Sequence, residues 1–425
     1  MATVSVTGSA LVDYLYGSVD FGSKAFARYR SRNAGDGGLR PGGLVFAEDL
    51  ESFAGKSVNE VLGDVVGIVQ PDARNIGGPA VVAAIHTAQV GVGDGVAVRF
   101  HGTRGDDEAG EMIVHRAGEA PLGLDGYEIS EGPTPSTIVL SDPAYEAGAG
   151  ERCFINTIGA SWHFSVEQLG RSFYDADIAL FAGTALVPGL HDHLGECLAQ
   201  ARDAGTVTVV GTVYDFRNEQ LAPGSPWPLA GDRDSWRDID IVVTDQLEAL
   251  KITGANDVDE AVDTFLDGGV GAAVITRGVD DVVAESQRAP LNLSGRMRLP
   301  VSQLVRRHHR EGGGPLSTQV GDTTGCGDNF VGGLVHALAV RLDRLGSTRP
   351  GAGQDAVAAT PSERAARRDA AMIDPVEILM PAVVSGGFAS FYLGGTYRES
   401  ERGEKARLLA PYLSAYAEQI GRSEA

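Results

Sequence analysis

Between residues 178 and 276, short apolar runs alternate with amphipathic stretches of about ten residues, and this alternation constrains the fold more than any other feature. Apolar runs at 178–181, 207–210, 239–243 and 272–276 are separated by helical patterns at 191–203, 247–252 and 258–266. A strand that is apolar at every position is covered on both faces, and two such strands joined through a helix run parallel. The expected class is α/β, a three-layer α/β/α domain with a mostly parallel central sheet. A strand at 4–8, a helix at 80–89, a strand at 96–100, a helix at 108–117 and strands at 137–141 and 152–156 extend it, with late helices at 329–339 and 375–392.

Two stretches break the pattern. Residues 14–74 are polar and glycine-rich, with Gly35-Asp36-Gly37-Gly38 and Pro41-Gly42-Gly43 as turn signals, and read as an excursion carrying a few strands and a helix near 47–53. The main domain is then expected to comprise 1–13 and 75–425. Within it, 341–374 is charged and rich in Ala and Gly without clear periodicity, and reads as a surface insertion. Fifty-seven glycines in 425 residues are roughly twice the usual share of about 7%, which favours many tight loops.

Charge narrows the partners. With 35 basic and 57 acidic residues the net charge is −22, so nucleic acid and anionic membranes are disfavoured by long-range repulsion. Any phosphate site must be built locally from backbone N–H groups or a metal. Four lysines among the basic residues fit either a GC-rich genome or a salt-adapted host. Three scattered cysteines make neither a disulfide framework nor a CxxC knuckle. The N-terminus lacks a basic region followed by an apolar run, and no apolar stretch reaches the ~18 residues needed to span a bilayer. A cytoplasmic protein is expected.

The chemistry concentrates in Asp322-Thr323-Thr324-Gly325-Cys326-Gly327-Asp328, which leads into the apolar pattern beginning at Asn329. Glycines at a helix start leave successive backbone N–H groups free to face an anion, and the helix dipole strengthens the hole. A phosphoryl group in flight needs that stabilisation. Asp328, closing the run, is placed to accept a proton from an attacking hydroxyl. An N-cap aspartate after an ordinary glycine turn is the competing explanation, and the length of the run argues against it.

This run resembles the C-terminal signature of the ribokinase (PfkB) family of carbohydrate and nucleoside kinases, with Cys326 where the family has alanine. The resemblance implies a ribokinase-like fold with a small β-rich lid at 14–74, ATP and Mg²⁺ as cofactors, and Asp328 as general base beside the Gly325, Cys326 and Gly327 amides. Gly77-Gly78 is similar to the family's double-glycine segment against the substrate, although Val82 stands where the family has a substrate-binding Asn. Gly102 to Gly110 resembles a family turn, and Asp13 matches the acid that holds two substrate hydroxyls. Asp245-Gln246-Leu247-Glu248 is similar to the motif that orients Mg²⁺, with Asp245 replacing Asn; few carboxylates and retained waters suit that ion. Thr276 and Gly278, Thr323, and Gly386 in the 375–392 helix fall at nucleotide-side positions. The resemblance also implies a monovalent cation such as K⁺ at the main chain around Asp322 and Thr324. A homodimer through the lid stays open against a monomer, because the long excursion resembles the larger lids of adenosine kinases.

Other signals carry less. Ala54-Gly55-Lys56-Ser57 ends like a phosphate-binding loop, but Leu50 occupies the position of its first glycine. Arg306-Arg307-His308-His309-Arg310 reads as a solvated loop, His191-Asp192-His193 lacks further metal ligands, and Trp162 with His163 fits pocket lining or packing equally. Three functions follow: a sugar kinase, a nucleoside kinase, or a catalytically idle ligand-binding relative.

Overall fold

The computed structural model describes residues 1–33, 35–67, 70–148, 150–292, 295–316, 321–347 and 359–422. In chain order the strands are β1 (Ala2–Gly8), β2 (Leu11–Tyr16), β3 (Leu44–Phe46), β4 (Ala73–Gly77), β5 (Val96–Arg104), β6 (Leu122–Ile129) and β7 (Ser136–Asp142). Then come β8 (Glu151–Thr157), β9 (Ile178–Ala182), β10 (Val207–Gly211), β11 (Ile241–Asp245), β12 (Ala272–Arg277), β13 (Asp280–Ser286) and β14 (Met297–Leu299).

They form two sheets. The larger runs β14-β13-β12-β11-β10-β9-β1-β5-β6. It is parallel from β6 to β12, and β13 and β14 add an antiparallel edge. Strand β1 is central, with Val4 paired to Val98 on one side and Ile178 on the other. Period-2 alternation explains the layers. Ile178 and Leu180 point into one core with helices Pro79–Val90, Cys326–Ser347 and Pro375–Ala389, while Ala179 and Phe181 enter a second core with Leu194–Asp203 and Val258–Asp267. The ribokinase-like three-layer architecture is therefore present. No helix among the described residues is long and apolar enough to cross a membrane.

The smaller sheet runs β3-β8-β7-β2-β4. It draws on β7 and β8 as well as on strands within 14–74, so the excursion supplies only part of it. A third core, with Phe26, Leu50, Val61, Leu140, Cys153 and Ile155, covers one of its faces. Its other face carries Asp13, Asn75, Thr137 and Asn156 among apolar residues such as Val139 and Phe154. Strand β2 follows β1 after only Ser9 and Ala10, which ties this sheet to the centre of the large one.

Two sequence expectations change. Within 341–374, helix Cys326–Ser347 continues past residue 339 and Pro361–Ala370 forms another helix; residues 348–358 lie outside the described residues. Arg364 is buried, 2.7 Å from Asp175 Oδ1 and donating to the Ala204 carbonyl, so that helix docks through charge and its sequence shows no apolar stripe. The basic cluster at 306–310 lies on helix Gln303–Glu311, with Val305 buried and the three arginines exposed.

Candidate active site

At the end of β1 the chain needs a glycine: Gly8 has φ +134°, and a Cβ there would fall 1.8 Å from the Ala182 carbonyl oxygen. Past that joint, Asp13 on β2 faces Gly77 so closely that a Cβ on Gly77 would lie 2.3 Å from Oδ2. Gly78, also at positive φ, starts helix Pro79–Val90. The double glycine thus lets the carboxylate of Asp13 lie flat against the backbone.

The Asp322–Asp328 loop is held from behind. Asp322 accepts the Thr324 N–H and hydroxyl, both at 3.0 Å, and the Gly394 N–H at 3.3 Å. Gly325 has φ +74°, and a Cβ would come within 2.4 Å of Gly395 Cα. The Cys326 N–H closes a turn onto the Thr323 carbonyl at 3.3 Å, so that amide is engaged within the loop. Gly327 and Asp328 lie in the first turn of Cys326–Ser347, where N–H groups have no partner four residues back.

A cavity of about 190 Å³ opens at that first turn, lined among others by Gly327, Asp328, Asp245, Glu248, Thr276 and Thr212. Asp245 caps helix Gln246–Thr253 through the Glu248 N–H at 2.8 Å. Glu248 is 8% exposed and accepts a hydrogen bond from the Thr212 hydroxyl. Withdrawal from water pushes Asp328 up to about 7. Burial, then the charges of Asp328 and Asp322, push Asp13 up to about 7. Burial and the neighbouring Asp245 and Asp328 push Glu248 up to about 8. Asp13 and Glu248 therefore resist ionisation more strongly while Asp328 is charged.

Other expected residues lie elsewhere. Val82 is 1% exposed and packs under Gly395, in the core. Gly386 is buried where its helix crosses Cys326 and Phe330. Thr323 is exposed at the rim, and Gly278, at φ +61°, sits in open space just beyond β12. His191 is buried between Thr184 and Asp215, Trp162 is 49% exposed, and no cluster of metal-ligating side chains occurs among the described residues.

The structure adds three residues that sequence reading missed. Arg152, on β8 of the small sheet, reaches Thr324 Oγ1 at 3.5 Å and Asp322 Oδ2 at 3.9 Å. Alternation along β8, with Cys153 and Ile155 apolar, was the signal available. Asn329 donates to the carbonyls of Gly325 and Gly395, both at 2.8 Å, and accepts from Tyr392 and Lys405. Lys405 is 1% exposed, also bonds Gln89, and burial pushes it down to about 7. Nothing local in the sequence marks it.

The sequence signature of the pfkB family carbohydrate kinases matches residues 53–359. The chain belongs to that family. Its fold is similar to adenosine kinase from Sinorhizobium meliloti, at 18% identity and TM-score 0.61, covering 96% of this chain and 98% of that one. Ribokinase from Thermotoga maritima aligns at 13% identity and TM-score 0.57, covering 97% and 100%. Fructokinase with bound ATP from Xylella fastidiosa aligns at 17% identity and TM-score 0.57, covering 98% and 99%. No functionally curated protein matches the sequence.

In this pfkB kinase Asn329 joins the catalytic loop to the 392–395 segment, and its amide is satisfied on both sides. Asn329→Ala should cost about 1–3 kcal/mol by leaving buried partners unpaired. The urea midpoint should fall, and kcat should fall with it as the Gly325 turn loosens. A variant with parental kcat would show that the loop holds its shape unaided.

Proposed function

We propose that the protein transfers the γ-phosphoryl group of ATP to a hydroxyl of a sugar or sugar derivative. The observation that carries this reading is the placement of Asp328: a carboxylate in the first turn of a helix beside the Gly327 amide, lining a cavity. Asp328 takes the proton as the acceptor oxygen forms its bond to phosphorus and the bond to ADP breaks. The amides of Gly325 and Gly327 stabilise the charge on the transferring oxygens, while the Cys326 amide holds the turn. Arg152 adds a fixed positive charge from the opposite sheet. Thr276 and Gly278 lie on the nucleotide side.

The donor set suits Mg²⁺ held mostly through water, since Glu248 and Asp245 are crowded acids without a third ligand. The ion would be held by those two residues and would neutralise phosphate charge when bound.

A pKa near 7 predicts that kcat/KM rises with pH through about 7. Asp328→Asn should cut kcat by about 10²–10⁴ and abolish that limb. The same shift has a stability sign. A folded pKa above the usual 3.8 favours the fold below about pH 4, and that contribution is lost as pH rises through 7. The ligand-free Asp328→Asn variant should therefore melt higher than the parent at pH 8. Parental turnover in the variant would remove the general-base assignment.

The five-stranded small sheet favours a second reading, a nucleoside kinase, in that it presents a broad face toward the loop. ADP release with pentoses, hexoses, keto-acids and nucleosides separates the two. A sugar should give the highest kcat/KM, and adenosine or inosine exceeding every sugar would decide for the second.

On the family resemblance we further propose a monovalent cation at the main chain around Asp322 and Thr324. Replacing K⁺ by tetramethylammonium should lower kcat, and unchanged activity would dismiss it.

A further inference from the structure

One row of polar residues crosses the small sheet on the face away from the third core. Asp13 pairs directly with Asn75 on β4 and with Thr137 on β7, and Thr137 pairs with Asn156 on β8. Directly paired residues on neighbouring strands project to the same face. Strand β8 fixes which face it is, because Cys153 and Ile155 enter the third core while Asn156 and Arg152 alternate away from it. Arg152 reaches the catalytic loop, so the row lies on the side turned toward Asp328.

Its hydrogen bonding is uneven. Asn156 Nδ2 donates to Thr137 Oγ1 at 3.0 Å. Asn75 Nδ2 is cut off from solvent and has no hydrogen-bond partner among the described residues. It is boxed against Gly394, where a Cβ would lie 2.5 Å from that nitrogen, and Gly394 itself props Asp322. A buried amide donor without a partner costs stability unless something else satisfies it. Val82, in the core, offers no polar contact to an acceptor. Asn75 is beside Asp13 instead, a donor next to an acid, at the spacing of neighbouring strands.

We propose that Asn75 is the amide that binds the phosphate acceptor, gripping adjacent hydroxyls together with Asp13, and that the Asn75–Asp13–Thr137–Asn156 row selects a neutral polyol. The inference rests on the kinase reading and narrows its substrate class. The row has acid, amide and hydroxyl groups and no cation. Arg152, on the same face of β8, is directed at Thr324 and Asp322. An acceptor bearing a carboxylate or phosphate would meet Asp13, Asp322 and Asp328, with Arg152 already engaged by Asp322. A free sugar and the ribosyl part of a nucleoside share the chemistry the row accepts.

The test uses the full chain with ribose, fructose, adenosine, gluconate and glucose 6-phosphate. Asn75→Ala, and the isosteric Asn75→Asp, should raise the KM of the best neutral acceptor about tenfold or more while the KM of ATP stays within twofold. Ribose or fructose as the best acceptor identifies a free sugar, and adenosine identifies a ribosyl group. A preference for gluconate or glucose 6-phosphate would overturn the inference and leave the kinase reading standing. Acceptor KM values within twofold of the parent in both variants would also overturn it. If no acceptor is phosphorylated, the kinase reading is what fails. Thermal shift with the neutral compounds then decides the row: stabilisation lost in both Asn75 variants supports it, and no stabilisation of the parent refutes it.

Discussion

The side-chain amide of Asn329 is the joint on which the site depends. A glycine-rich turn at the start of a long helix has no intrinsic reason to keep one shape, because glycine costs the most backbone entropy to order. Asn329 fixes it by holding the carbonyls of Gly325 and Gly395 at once. Its own oxygen is occupied by Tyr392 and Lys405. The satisfied amide holds the loop in one shape, and the contact with Gly395 leaves no room for a side chain at Gly325, while Val82 crowds Gly395.

Electrostatics set the second constraint. Asp13, Asp322, Asp328 and Glu248 meet in one region of a chain already carrying −22. Such a group of acids is costly in the ligand-free protein and is relieved by cations or by protons. Arg152 offsets part of the cost from across the gap. Stability and the proposed chemistry pull apart here, because the desolvation that weakens the fold at neutral pH also raises Asp328 into the range a general base would need.

The large sheet was legible because strands buried on both faces leave uninterrupted apolar runs, as at 178–181 and 207–210. The Asp322–Asp328 loop stood out because its glycines and terminal acid are contiguous. What stayed hidden depends on contacts between distant segments. Lys405 and Asn329 are 76 residues apart, and neither has a local pattern that announces the other. Asn75 and Asp13 meet only through strand pairing, which single-strand periodicity does not reveal. Helix Pro361–Ala370 docks through Arg364 and Arg368, residue types that hydrophobic periodicity counts as surface. Val82 was matched to a substrate position through the family resemblance, and it lies on a helix buried on nearly all sides.

The two-residue link between β1 and β2 carries a last implication. Asp13 sits on the small sheet and Asp328 on the helix packed against the large one, and Val12 and Ile76 of the small sheet share the core that this helix enters. The groups that would meet an acceptor are thus mounted on two sheets joined through one core. Under the proposed kinase reading, a molecule with several hydroxyls spans both where water cannot, so the size of the acceptor decides how many of these groups it engages.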